Sequence, residues 1–205
     1  NIGGATNDVL ITNSSVTKWR RCEVTCITCT ISITSTEVQV TVATPLNGTY
    51  VIDNTGSGDY LTFTAEIADL SCLGVSGPVT FEVVDGQVFP EATSLECTFN
   101  GTSTNTITFK KQGAGVNPKI QLIGTSGTSD YILKLTGVDY YTFDGIDFEQ
   151  TGTSTTDWVE YGVWITNASA TNGSQNNNIK NGVVTLSNGN ASARGVFMNQ
   201  AVTAT

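Results

Sequence analysis

Apolar and polar residues alternate in short runs along most of this chain, the two-residue period of strands with one buried face. Residues 79–84, 106–109, 119–123, 131–135, 141–148, 162–165, 179–186 and 195–198 read this way, with Gly and Asn turns between them. Upstream, 19–25, 31–36 and 38–42 are also strand-like and end at Thr44-Pro45-Leu46-Asn47-Gly48. One segment has a different period. Phe63, Ile67 and Leu70 stand at i, i+4 and i+7, an apolar helical stripe. Thr62 or Thr64 is placed to cap its start, and Gly74, or Gly77-Pro78 beyond it, to stop it.

Two sections repeat. Phe143-Asp144-Gly145-Ile146 and Ile179-Lys180-Asn181-Gly182-Val183-Val184 share an apolar, polar, corner, apolar order 36 residues apart. Gly162-Val163-Trp164-Ile165 and Gly195-Val196-Phe197-Met198 match in residue type 33 residues apart. A sandwich has no reason to place matching corners at matching intervals, whereas stacked coils with insertions at 150–157 and 168–178 do. The expected fold is therefore all-β, a right-handed parallel β-helix with a short N-terminal capping helix over residues 46–205. A β-helix exposes apolar edges at its ends, so an amphipathic helix over the first coil is physically reasonable. Residues 1–45, with Trp19 and Cys22 ahead of a last strand, resemble the closing strands of an immunoglobulin-like module. Arg20 stands where such modules often carry a tyrosine, and the segment has room for only part of the usual strand set, so a partial module is expected.

Composition narrows the function classes. The 205 residues include 21 Gly, no His and one Met, with 13% charged residues and a formal net charge of −9. Such an acidic surface repels phosphate backbones and anionic lipid, which argues against nucleic acid as a partner. No run approaches the ~20 apolar residues needed to cross a bilayer, so direct membrane insertion is not expected. A weakly charged, Thr- and Asn-rich chain suits the outside of a cell, and extracellular or cell-surface localisation is the expectation. The chain opens Asn1-Ile2-Gly3-Gly4, as a mature or cut segment of a longer exported protein would. Cys22, Cys26, Cys29, Cys72 and Cys97 are disulfide candidates in an oxidising compartment. The Cys26–Cys29 spacing also occurs in zinc ribbons and redox sites, but no second close pair, no His and no βαβ context accompany it.

The run Leu46-Asn47-Gly48-Thr49-Tyr50-Val51-Ile52, then Gly56-Ser57-Gly58-Asp59-Tyr60, then Gly74-Val75-Ser76-Gly77-Pro78-Val79 resembles the N-terminal cap of large parallel β-helix surface proteins. Tyr140-Tyr141-Thr142-Phe143-Asp144-Gly145-Ile146 resembles a recurrent coil of the same proteins, which bacteria of the gliding, type IX-secreting group export. The resemblance spans roughly residues 46–200. It implies an immunoglobulin-like module ahead of the β-helix and an adhesive or scaffolding role at the cell surface. The C-terminal sorting domain of that family has no counterpart in these residues.

The chemistry-bearing residues divide the possibilities. Asp147 and Glu149 are two apart on a strand, hence on one face, and with Asp144 nearby they form a candidate Ca2+ set. The plainer reading is that outward acids keep a sheet face soluble. Tyr140, Tyr141, Trp158, Tyr161 and Trp164 cluster around the longest insertions and are candidates for stacking on sugar rings, Trp158, Tyr161 and Tyr140 foremost; the plainer reading has Trp164 and Phe148 pointing into the coil. The favoured function is a structural and adhesive one: a rigid rod, or the subunit of a filament built from copies of itself, presenting loops to cell-surface or environmental glycans. The alternative is a carbohydrate-active β-helix enzyme, a polysaccharide lyase or hydrolase, with its site mostly outside these residues.

Overall fold

The computed structural model describes residues 43–125, 127 and 129–199, together with the backbone of four short strands between residues 18 and 40. The chain divides into two compact units, residues 1–44 and 45–205. In the first, β1 (Lys18–Arg20) pairs antiparallel with β4 (Val38–Val40), and β2 (Glu23–Thr25) with β3 (Ser32–Thr34). The side chains that would test the immunoglobulin-like reading, and Cys22, Cys26 and Cys29, lie outside the described residues.

The second unit is a parallel β-solenoid. Its leading strand is β5 (Leu46–Ile52), followed by helix α1 (Phe63–Leu73). Four coils of three strands then follow. They comprise β6 (Val75–Val84), β7 (Val88–Pro90) and β8 (Leu95–Cys97); β9 (Ile107–Gln112), β10 (Lys119–Leu122) and β11 (Tyr131–Thr136); β12 (Tyr141–Asp144), β13 (Asp147–Gln150) and β14 (Tyr161–Thr166); and β15 (Asn178–Lys180), β16 (Val184–Thr185) and β17 (Arg194–Asn199). Strands from successive coils stack in parallel into three sheets, ordered β5-β6-β9-β12-β15, β7-β10-β13-β16 and β8-β11-β14-β17. The two repeats are register partners. Phe143 pairs with Ile179, and Val163, Trp164 and Ile165 pair with Val196, Phe197 and Met198.

Because every second side chain points inward, register partners stack into ladders along the interior. Phe81, Phe109 and Phe143 share one such rung position, and the Phe109 and Phe143 rings lie 4.7 Å apart with 4° between their planes. Phe89, Ile120 and Phe148 line the second sheet in the same way, all at most 1% exposed. Beyond the last coil no described strand continues the stack. Val196 and Met198, which stand over buried Val163 and Ile165, are accordingly 53% and 61% exposed.

The opposite end is closed. Thr62 caps α1 by accepting from the Ala65 amide, and Gly74, at φ 66°, ends it while its N–H donates to the Leu70 carbonyl. Phe63, Ile67 and Leu70 are buried as their spacing predicts. Phe63 meets Phe89 edge-on at 5.2 Å and stacks on Phe109 at 5.9 Å, which seats the helix on the ladder. Glu91, from the loop after β7, accepts from the Phe63 amide and the Thr64 hydroxyl, placing a carboxylate at the positive end of the helix dipole. The chain between β5 and α1 folds back on the free edge of β5. The amides of Asp59 and Tyr60 donate to the Val51 carbonyl, and the Asp59 carboxylate accepts from the Val51 amide. An edge satisfied in this way offers no template for another strand.

Candidate functional site

The third sheet carries the strongest surface chemistry. In β14, Gly162 and Val163 both face the interior, after which the alternation resumes, so Tyr161, Trp164 and Thr166 face outward. Trp164 is thus a surface residue, half-buried by its neighbours, and the expectation that it points into the coil with Phe148 is corrected for Trp164 alone. Register then sets its neighbours. Lys134 lies below it and Phe197 above it on one line, with Glu96 at the start of that line. A parallel line holds Tyr131, Tyr161 and Arg194, and a third holds Thr136, Thr166 and Asn199.

These side chains form a connected patch. Tyr161 stacks on Phe197 at 4.4 Å, with 12° between the planes. Trp164 meets Tyr131 at 5.7 Å, Tyr161 at 5.1 Å and Phe197 at 6.1 Å, tilted by 50–73°, so no ring lies flat against the indole. Its Nε1–H donates to the Asn199 side-chain oxygen at 2.8 Å. The Lys134 ammonium sits 4.7 Å from the Trp164 centroid and 5.3 Å from that of Tyr131, and it pairs with Glu96 at 3.2 Å. Burial alone raises the Glu96 carboxyl. Hydrogen bonds from Thr136, Lys134 and Tyr131 outweigh that, and the group is held below its ordinary range. Burial, reinforced by the Glu96 charge, pushes the Tyr131 hydroxyl up to about 12. The patch therefore holds a neutral phenol beside an ionised carboxylate at physiological pH.

Beside Tyr131, at the corner between the second and third sheets, lies an open cavity of about 360 Å³. Thr93, Leu122, Ile123 and Asp130 contribute to its walls. The corner itself is fastened by Glu160, a buried carboxylate that accepts from the Asp130 amide on one coil and the Asn190 side chain on the next.

Of the stacking candidates expected from sequence, Tyr161 and Trp164 belong to this patch, and Tyr141 is buried in the interior. Trp158 follows the 3-10 turn Thr155–Asp157 and is half-buried, with Gly189 close against its ring. Tyr140 takes a left-handed conformation, φ 60°, at the corner entering β12. Neither joins Tyr161. Phe197, Tyr131 and Lys134 were not among the expected ligand-binding residues, and Trp164 was weighed between the sugar-stacking and the core reading. The 33-residue repeat had already aligned Trp164 with Phe197, and alternation about Val163 and Ile165 was the signal that puts both outside.

The acidic set is dispersed. Asp144 lies on the first sheet, paired with Lys180 at 3.1 Å and accepting from Asn181. Asp147 and Glu149 share the outer face of β13, as expected. Asp147 accepts from Asn117 and the Val183 amide, and Glu149 from Lys119 and Gln121. Among the described residues, no three His, Cys, Asp or Glu side chains gather as a metal site would require. Cys72, exposed on α1, and Cys97, buried in β8, are both free thiols, which corrects the disulfide expectation for this pair. One thiol faces away from the solenoid and the other into it. No helix among the described residues is long and apolar enough to cross a membrane.

Fold and face together define a capped parallel β-solenoid with an aromatic outer sheet. No family profile, curated protein or solved structure matches the chain.

Proposed function

We propose that this protein is an extracellular adhesive rod whose third sheet binds glycans. The observation that carries the reading is the outward cluster of Tyr131, Tyr161, Trp164 and Phe197, flanked by Glu96, Lys134, Thr166 and Asn199. Aromatic surfaces take the C–H faces of sugar rings, and flanking hydroxyl, amide and carboxylate groups take their hydroxyls. Stacked coils pair the backbone of each strand with the next, a stiff support for a face that must hold its geometry under load. The acidic, Thr- and Asn-rich composition and the resemblance to exported β-helix surface proteins support placement outside the cell.

A glycan-array screen of the wild-type protein and Trp164→Ala tests this. Binding by the wild type, lost in the variant while the β-sheet circular dichroism spectrum is retained, is the expected result. Wild-type protein that captures no glycan overturns the proposal.

A further inference from the structure

We infer that the third-sheet face is built for a neutral, extended polysaccharide of equatorially linked pyranoses lying along the solenoid axis across β11, β14 and β17; the inference rests on the glycan-binding reading above. The first argument is charge. An acidic sugar needs a cation among the rings that is free of other anions, and the one set there is already ion-paired. The Lys134 ammonium is closed in by Glu96 and by the rings of Tyr131 and Trp164. The exposed Arg194, at the edge of the patch, directs one guanidinium nitrogen at the main-chain carbonyls of Ala191 and Ala193. What the patch leaves for a ligand is aromatic surface and the Thr and Asn groups, with Glu96 already neutralised by Lys134, on a chain with a formal net charge of −9. A uronate or sulfated glycan finds no unpaired cation among the rings and meets the field of an acidic chain, whereas a neutral one loses nothing.

The second argument is spacing. Tyr131, Trp164 and Phe197 come from three successive strands, and neighbouring strands lie about 4.8 Å apart. That rise is close to the advance of one sugar in an extended, equatorially linked chain. Tyr131, one line over from Trp164 and Phe197, completes a set of at least one outward ring on each of the three strands, with centroids 5.7 and 6.1 Å apart. Equatorially linked pyranoses carry their hydroxyls around the ring edge and expose axial C–H groups on both faces, the surface an aromatic ring accepts. A ligand crossing the sheet in the strand direction would meet only Tyr161, Trp164 and Thr166 of a single strand.

Calorimetry with oligosaccharides of β-1,4-linked glucose or xylose, against oligogalacturonate and a sulfated glucan, tests the inference. Affinity for the neutral series should rise from one sugar to about three, one for each strand crossed, and then level off. It should be unchanged by added salt and fall about tenfold in Trp164→Ala. Preference for the uronate or sulfated ligand, or neutral binding that collapses in salt, overturns the inference while leaving glycan binding intact. An affinity that does not grow beyond one sugar overturns the axial arrangement. Failure of every glycan overturns both this inference and the function on which it rests.

Discussion

Trp164 and Asn199 are joined across coils, the indole Nε1–H donating to the amide oxygen at 2.8 Å. The bond ties the orientation of the central ring on the third sheet to the coil that follows. Asn199→Ala removes it from a partly solvated site, a loss of about 0.5–1.5 kcal/mol. Global stability should fall by no more than that, because neither residue belongs to the interior. Glycan affinity should fall about three- to tenfold, less than in Trp164→Ala. Calorimetry and a denaturant melt on the same samples separate the two effects.

The interior ladder carries the stability. Phe109 stacks between Phe81 and Phe143 and also meets Phe63 of the cap helix. Phe109→Ala leaves a cavity shared by three coils and α1, and should cost about 3–5 kcal/mol in urea unfolding. A loss below about 1 kcal/mol would mean that the ladder is not the core.

Glu66 lies on the buried face of α1, fully enclosed, with neither carboxyl oxygen hydrogen-bonded. Burial, and secondarily the Asp69 charge, raises its pKa well above the ordinary carboxyl value. Tyr60, Cys97 and Tyr141 are the other titratable groups coupled to it. In the folded protein it keeps its proton after the unfolded chain has released one. Stability therefore falls as pH rises above the ordinary carboxyl value, by at most about 1.4 kcal/mol per pH unit from this group. Glu66→Gln should flatten that fall, so thermal melts of the two proteins should diverge progressively from pH 5 to pH 8.5. Parallel curves would show that Glu66 is not protonated in the folded state.

The two described thiols should differ in reactivity. Cys72 is exposed on α1, whereas Cys97 is buried and its thiol is pushed well up by burial. Iodoacetamide on the native protein, read by peptide mass mapping, should alkylate Cys72 and spare Cys97 until denaturant is added. Recovery of a Cys72–Cys97 linked peptide would contradict the structure.

The close approaches of the backbone can be tested at Gly162. A methyl group there would lie 2.6 Å from the Gly195 carbonyl and against Val184. Gly162→Ala should force apart the third and fourth coils and lower the melting temperature by several degrees.

Much of this was legible in the chain. The 36- and 33-residue repeats set which residues lie over one another, because parallel coils repeat in register and an inward ladder tolerates no slip. The cap helix was legible too, since Phe63, Ile67, Leu70, Thr62 and Gly74 act within a few turns of backbone. The aromatic face was not. Alternation about Val163 and Ile165 hints that Trp164 and Phe197 face outward, but placing Tyr161 on the same side requires Gly162 and Val163 to face inward together, a corner that depends on Val184 and Gly195 from other strands. Likewise, Glu66 sits three positions after Phe63, and nothing local distinguishes a solvated glutamate there from an enclosed one. Sequence alone determined the period, the register and the capping chemistry of this protein, because those are properties of neighbouring residues. Which side chains gather into a surface, and which charges lose water, was decided by how distant coils meet, and only the tertiary structure carries that.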